Sequence, residues 1–204
     1  MKICVIPTGT ANLASVLCAL GRLGSAPVVA RSPADLNAAD ALVLPGVGHF
    51  AAGRRQLDDG GYSEPVRDWV RSGRPTLAIC LGMQLLARAS EEAPDVAGLD
   101  VLPVDASRLP ASVSVPQLGW NEVSRGRQVR RGYAYFANSY RLTDAPDGWT
   151  AAWTDHGGPL IAALERDAQL LCQFHPELSG GWGHELLGRW LARASTAGRE
   201  AAAC

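Results

Sequence analysis

Two textures of apolar and polar positions follow one another along this chain, and the change comes near residue 98. Before it, short apolar runs alternate with segments of helical period. Residues 2–6 form one such run, ended by Pro7, after which Val16, Leu17, Leu20 and Leu23 recur at helical spacing until Gly24. A strand and a helix are predicted there. Val28 to Ala30 predicts a second strand, and Ser32-Pro33, a capping residue followed by proline, predicts the start of another helix. Ala41 to Leu44 is a third strand, running into Pro45-Gly46-Val47-Gly48. Helices are predicted at about 51–58 and 62–72, the second closed by Gly73, and Thr76 to Cys80 is a fourth apolar run leading straight into a helix over 82–89.

Continuous apolar strands separated by helices fit a parallel sheet covered on both faces, an α/β fold. Past residue 98 the segments 99–104, 120–123, 132–138, 150–154, 160–165 and 169–174 are short, alternating and bounded by turn residues. They are predicted to be antiparallel, at an edge or extension of the sheet. A last amphipathic helix is predicted over 183–195, with Leu186, Leu187, Trp190 and Leu191 on its buried face. One domain over residues 1–196 is expected, with 197–204 as a flexible tail.

Composition narrows the function classes. The apolar content of 47% is that of a globular protein, and no apolar run reaches the roughly 18 to 20 residues that a bilayer crossing needs. The N-terminal segment lacks a signal-peptide core, so a soluble cytoplasmic protein is expected, without membrane association. Net charge is −1, and the cluster Arg125, Arg127, Arg130 and Arg131 reads as a solvated loop, so nucleic acid is not expected as a partner. Five widely spaced cysteines with no C-x-x-C pair predict reduced thiols, without a disulfide framework or a zinc site.

Two of the strands end unusually, and in open α/β sheets active groups gather at the carboxyl ends of strands. Thr76-Leu77-Ala78-Ile79 delivers Cys80, and Leu81-Gly82-Met83-Gln84 then opens a helix. This is the pattern of a nucleophile elbow, with Gly82 permitting close packing, the helix N-terminus favouring negative charge on the sulfur, and the Leu81 N–H aimed at an oxyanion. A thiol nucleophile needs an imidazole to take its proton, and the imidazole needs a third group to orient it. Leu170 to Phe174 ends at His175, with Glu177 two residues on across a rigid proline. The glycines of Gly46-Val47-Gly48 suit an oxyanion loop. They also match the G-x-G-x-x-G/A spacing of a dinucleotide loop, a weak signal on a third strand. His49, His156 and His184 show no metal-ligand spacing.

The set Leu44-Pro45-Gly46-Val47-Gly48, Ile79-Cys80-Leu81-Gly82-Met83-Gln84, Leu118-Gly119-Trp120-Asn121-Glu122-Val123, Tyr135-Phe136 and Gln173-Phe174-His175-Pro176-Glu177 resembles the class I glutamine amidotransferases. More narrowly it resembles the glutaminase subunit of imidazole glycerol phosphate synthase, over the whole length. The resemblance implies a flavodoxin-like open sheet with an antiparallel extension, no cofactor, and L-glutamine as substrate. It implies Cys80 as nucleophile, His175 as base and then acid, and Glu177 as its orienting group. Gly46, Val47, Gly48 and Leu81 would hold the oxyanion, and Gln84 would bind glutamine. The partner it implies is a (βα)8-barrel cyclase in a heterodimer, to which ammonia passes, with Asn12, Gln117, Trp120, Asn121, Tyr135, Asn138 and Leu178 at the interface.

At the mouth of the implied site the chain departs from the family pattern. Gln117 and Asn138 stand where the family has histidines, Leu178 where it has lysine, and Gly9-Thr10-Ala11-Asn12-Leu13 replaces a Gly-x-Gly-Asn-Leu turn. A glutaminase feeding a different barrel synthase is therefore a second reading, and a flavodoxin-like thiol sensor or binding protein a third.

Overall fold

The computed structural model describes residues 1–9 and 12–203. The first half of the chain follows the apolar runs closely. Strands β1 (Ile3–Val5), β2 (Pro27–Val29), β3 (Ala41–Leu44) and β4 (Thr76–Ile79) alternate with helices α1 (Leu13–Arg22), α2 (Phe50–Asp59) and α3 (Ser63–Arg71). The helix expected after Ser32 is a 3-10 turn, Pro33–Ala38, whose capping box joins Ser32 and Asp35. The helix expected over 82–89 is cut to α4 (Leu81–Leu85), and Ala87–Ser90 instead forms β5. Leu85, Leu86 and Ala87 are all buried, so no polar face is left for another helical turn, and the Leu86 and Ala87 carbonyls accept from residues 100–102.

The second half comprises β6 (Leu102–Arg108), β7 (Gln117–Val123), β8 (Gly132–Asn138), β9 (Tyr140–Arg141), β10 (Thr150–Asp155), β11 (Pro159–Arg166), β12 (Gln169–Cys172) and α5 (Gly180–Ala203). Its strands do not all join one antiparallel extension. The main sheet runs β10-β11-β12-β4-β3-β1-β2, β5-β6-β9 form a second sheet, and β7-β8 form a separate two-stranded ribbon. β10 and β11 are antiparallel at the edge, as expected. β12, expected with them, lies parallel to β4 in the middle of the sheet. Its four residues are buried throughout, which is the signature of a central strand and not of an edge. Two apolar clusters cover the two faces of the main sheet, one built on α2, α3 and α4 and the other on α1, α5 and the inner face of the ribbon.

α5 extends well beyond the predicted 183–195, through most of the segment expected to be a tail. Alanine recurs at 192, 194, 197 and 201–203, and it is the best helix former. Trp190 fixes this helix to the sheet, its indole N–H donating to the Thr76 and Ala168 carbonyls at 3.1 Å each. Cys204 and two residues of the Gly9–Leu13 turn, Thr10 and Ala11, lie outside the described residues.

Candidate active site

Three adjacent strands, β12, β4 and β3, point their carboxyl ends at one place. This is where a parallel sheet presents its functional groups. β4 delivers Cys80, whose backbone sits at φ 52° and ψ −111°. A side chain at positive φ away from the ordinary left-handed well is strained, and such strain persists only where the surroundings over-determine it. Here they do. Cys80 N–H donates to the Cys172 carbonyl at 2.7 Å, and α4 is pressed onto the end of β3 so closely that a Cβ on Gly82 would lie 1.9 Å from the Leu44 carbonyl oxygen. The elbow read from the sequence is thus present, and Gly82 is required for it.

β12 carries the chain on to His175. Its imidazole Nδ1 lies 2.8 Å from Glu177 Oε1, and both side chains are almost wholly buried. The turn is clamped from two sides. His175 N–H donates to the Tyr135 carbonyl of β8 at 2.8 Å, while the Ser179 hydroxyl donates to the His175 carbonyl at 2.6 Å and accepts from Tyr135 N–H at 3.0 Å. Phe174 packs edge-to-face with Phe136 and with Trp182, which holds the strand end from below. Burial pulls the His175 pKa down, but hydrogen bonding to Cys80 and to Glu177 outweighs it, and the value is pushed up to about 10. Both contacts favour the charged ring over the neutral one. A second cysteine nearby, Cys172, is inert by contrast. It is fully buried, and desolvation pushes its thiol well above the usual range.

Cys80 and His175 open into a cleft of about 340 Å³ lined also by Val47, Gly48, Leu81, Gln84, Glu92, Asn138 and Tyr140. The geometry corrects the reading of Leu81. Its N–H does not stand free for an oxyanion but donates to the Gly46 carbonyl at 3.2 Å. Leu81 is the first residue of a helix, and such N–H groups have no partner within the helix, so the adjoining loop carbonyl takes this one. Gln84 is also engaged, its Nε2 donating to the Tyr140 carbonyl at 3.1 Å and to Gln173 Oε1 at 3.0 Å. The Gly46–Gly48 loop joins β3 to α2 beside the cysteine, where Val47 and Gly48 line the same cleft. Among the described residues no cluster of three has the makings of a metal site, and no helix is long and apolar enough to cross a membrane.

The structure divides the expected interface residues. Trp120 and Leu118, 58% and 69% exposed, share the outer face of the ribbon with Tyr135, which meets Trp120 edge-to-face at 6.3 Å. Leu178 is exposed nearby, beyond Gly180, whose added Cβ would lie 3.7 Å from the Trp120 ring. Gln117 and Asn138 face each other across the ribbon on its inner side and are buried. Asn121 ties the ribbon to the Asp155 carbonyl at 2.8 Å, and Asn12 caps α1 by accepting from Ser15 N–H at 3.3 Å. The arginine cluster is a solvated loop whose backbone N–H groups at 127–129 are gathered by the buried Glu165 carboxylate.

Sequence reasoning missed Glu92, Tyr140 and the chemistry of Gln173. Glu92 accepts Phe50 N–H at 2.7 Å while lining the cleft, and it sits in an acidic pair that gives no spacing signal. Gln173 lies inside the motif that identified His175, yet only the fold shows its Nε2 reaching Cys80 Sγ at 3.7 Å.

The model of the family "Glutamine amidotransferase class-I" matches residues 9–193. The imidazole glycerol phosphate synthase subunit HisH of Desulfitobacterium hafniense is 38% identical over 202 residues, 94% of this chain and 96% of that one. The imidazole glycerol phosphate synthase hisHF of Emericella nidulans is 37% identical over 88% of this chain, which spans 36% of that longer protein. A crystal structure of a glutamine amidotransferase superposes with a TM-score of 0.76 at 21% identity, covering 95% of this chain and 98% of that one, which supports the fold. Elbow cysteine, buried His–Glu pair and open α/β sheet thus occur in a chain that belongs to the class I glutamine amidotransferase family.

Proposed function

We propose that this protein is the glutamine-hydrolysing subunit of an imidazole glycerol phosphate synthase, acting in histidine biosynthesis through Cys80, His175 and Glu177. The observation that carries the reading is a strained cysteine at a strand-to-helix turn whose neighbouring imidazole is held by a buried carboxylate 2.8 Å away. Similarity to HisH subunits over nearly the whole length supports the choice of pathway. The Cys80 thiolate attacks the side-chain amide carbon of glutamine. The His175 imidazolium then protonates the departing nitrogen, the C–N bond breaks, ammonia leaves, and the acyl group stays on the Cys80 sulfur as a glutamyl thioester. His175, now neutral, takes a proton from water as the water attacks the thioester, and glutamate is released. Glu177 holds the ring and stabilises its charge throughout. Glu92 suits the substrate ammonium, since it is the carboxylate in the cleft wall. An oxyanion site that includes Leu81 requires the Gly46 carbonyl to release that N–H, so the resting arrangement is one that a partner or substrate must reorganise.

The ammonia acceptor on this reading is a (βα)8-barrel cyclase docked on the outer face of the ribbon in a heterodimer. Exposed Leu118, Trp120, Tyr133 and Leu178 make this the apolar surface in need of a cover. The test is to purify the protein with and without the barrel cyclase of its own genome and to measure glutamate release and imidazole glycerol phosphate formation from glutamine. Glutamine-dependent product formation by the pair is expected. Glutamate release that no cyclase accelerates, with no product, would return the protein to a glutaminase serving another synthase.

A further inference from the structure

The Cys80 sulfur has a second polar neighbour that the triad does not include. Gln173 is fully buried and its Nε2 lies 3.7 Å from Cys80 Sγ, within range for an N–H to sulfur contact. Amide nitrogen and oxygen are told apart by their partners, and here the partners leave one assignment. The Tyr140 carbonyl accepts only, so Gln84 must present Nε2 to it, at 3.1 Å. That same Nε2 meets Gln173 at 3.0 Å, so Gln173 must present its oxygen there. Its N–H group is thereby turned onto the sulfur. Asn138 Nδ2 donates to the same Tyr140 carbonyl at 3.0 Å, which leaves that end of the chain with two donors and no freedom to reverse.

We infer that Gln173 is a further catalytic residue that donates a hydrogen bond to the Cys80 thiolate, and that Gln84 positions it by fixing the direction of its amide. A donor held on sulfur in a dry site stabilises the anion over the thiol and keeps the nucleophile aimed at the cleft. Gln84 is therefore more than the glutamine-binding residue implied by resemblance. The titratable groups around Cys80 are His175 and Glu177 on the β12 turn, Glu92 and Tyr140 across the cleft, and Cys172 on the neighbouring strand. None of them supplies the contact that Gln173 makes.

The proposal rests on Cys80 being the nucleophile of the proposed glutaminase, but its test needs no glutamine. Alkylation by iodoacetamide is followed on the Cys80 peptide by mass spectrometry from pH 5 to 10 in the full-length protein, which also separates it from exposed Cys18. Gln173→Leu should slow alkylation at pH 7 by about tenfold and move the pH midpoint up by about one unit. Gln173→Glu is isosteric and serves as the second variant should the leucine variant fail to fold. It sets an oxygen against the sulfur and should slow alkylation further. In steady-state assays both should lower kcat far more than they raise KM. Profiles of either folded variant that superpose on the parent's overturn the proposal, even if glutamine hydrolysis is lost. Normal hydrolysis in both overturns it as well.

Discussion

The catalytic turns and the β7-β8 ribbon lie against each other, joined where His175 pairs with Tyr135, yet they are finished to different degrees. Around Cys80 and His175 the hydroxyl of Ser179 and the amides of Gln84 and Gln173 all have partners within the chain, and Glu177 Oε2 is the triad atom left without one. The ribbon is the reverse. Its outer face leaves Leu118, Trp120 and Tyr133 exposed, and on its inner face both side-chain atoms of Gln117 and Oδ1 of Asn138 have no protein partner. Buried amides without partners cost roughly 1–3 kcal/mol each, and natural chains keep few of them. The Cys80 turn is therefore fixed by contacts within the chain, whereas the ribbon leaves an apolar outer face uncovered and unpaired amide atoms beneath it.

If the centre is self-contained, removing its nucleophile should be the most damaging single change and should leave the ribbon untouched. Cys80→Ala is expected to lower glutamine hydrolysis by at least about a thousandfold, while synthesis from added ammonium salts by the complex persists. Retained glutamine turnover would remove the triad assignment. His175→Ala should lose nearly as much, and Glu177→Gln less, roughly ten- to a hundredfold, since the ring survives but its orientation and charge partner do not.

The same substitution sharpens the electrostatic side of the comparison. The His175 pKa is raised in the folded protein, so the stability it contributes is complete below its ordinary value near 6.5 and is lost as the pH climbs toward 10. Glu177→Gln removes one of the two partners that raise it. In nitrogen-detected NMR the ring of that variant should lose its proton at a lower pH than in the parent, and urea unfolding should show less decline between pH 7 and 10. Identical titration in the two proteins would mean that Glu177 does not hold the imidazolium.

Gly82→Ala attacks the elbow through packing and not through chemistry. The new Cβ would meet the Leu44 carbonyl at 1.9 Å, so α4 must move off β3, at a loss of about 3 kcal/mol in denaturant midpoints. Trp120→Ala should leave unfolding unchanged within about 0.5 kcal/mol, because the side chain is exposed, and weaken cyclase binding by roughly ten- to a hundredfold in titration calorimetry. Unchanged affinity would place the docking face elsewhere. The smallest effect is expected from Leu178→Lys. It places there the lysine that the resemblance implies and should shift preference by a few-fold toward a histidine-pathway cyclase of distant origin, since a lysine can pair a carboxylate across an interface and leucine cannot.

Much of this was legible in the residues themselves. Four consecutive apolar runs specify parallel strands because both faces of such a sheet are buried, and no polar register competes. Cys80 and His175 stood out as candidates because each follows an apolar run, where chemistry in this class of fold collects, and Glu177 because it lies two residues beyond His175. The second half was harder. Short alternating strands state that one face is buried but not which neighbour buries it, so β12 was expected at an edge and lies in the centre, and the β7-β8 ribbon was not distinguished from the sheet.

What the sequence alone determined is the run of apolar strands and helices in the first half and the candidate groups at their ends, because period, run length and turn residues are local and act within a few residues of themselves. Only the tertiary structure decided which groups meet. Gln173 and Gln84 are 89 positions apart, and their shared amide contact exists because β12 lies beside β4. Whether Leu81 offers its N–H to a ligand was likewise settled by the Gly46 carbonyl, which a strand 35 residues earlier brings to it. Hydrogen bonds between distant residues depend on pairing geometry, which no local propensity encodes.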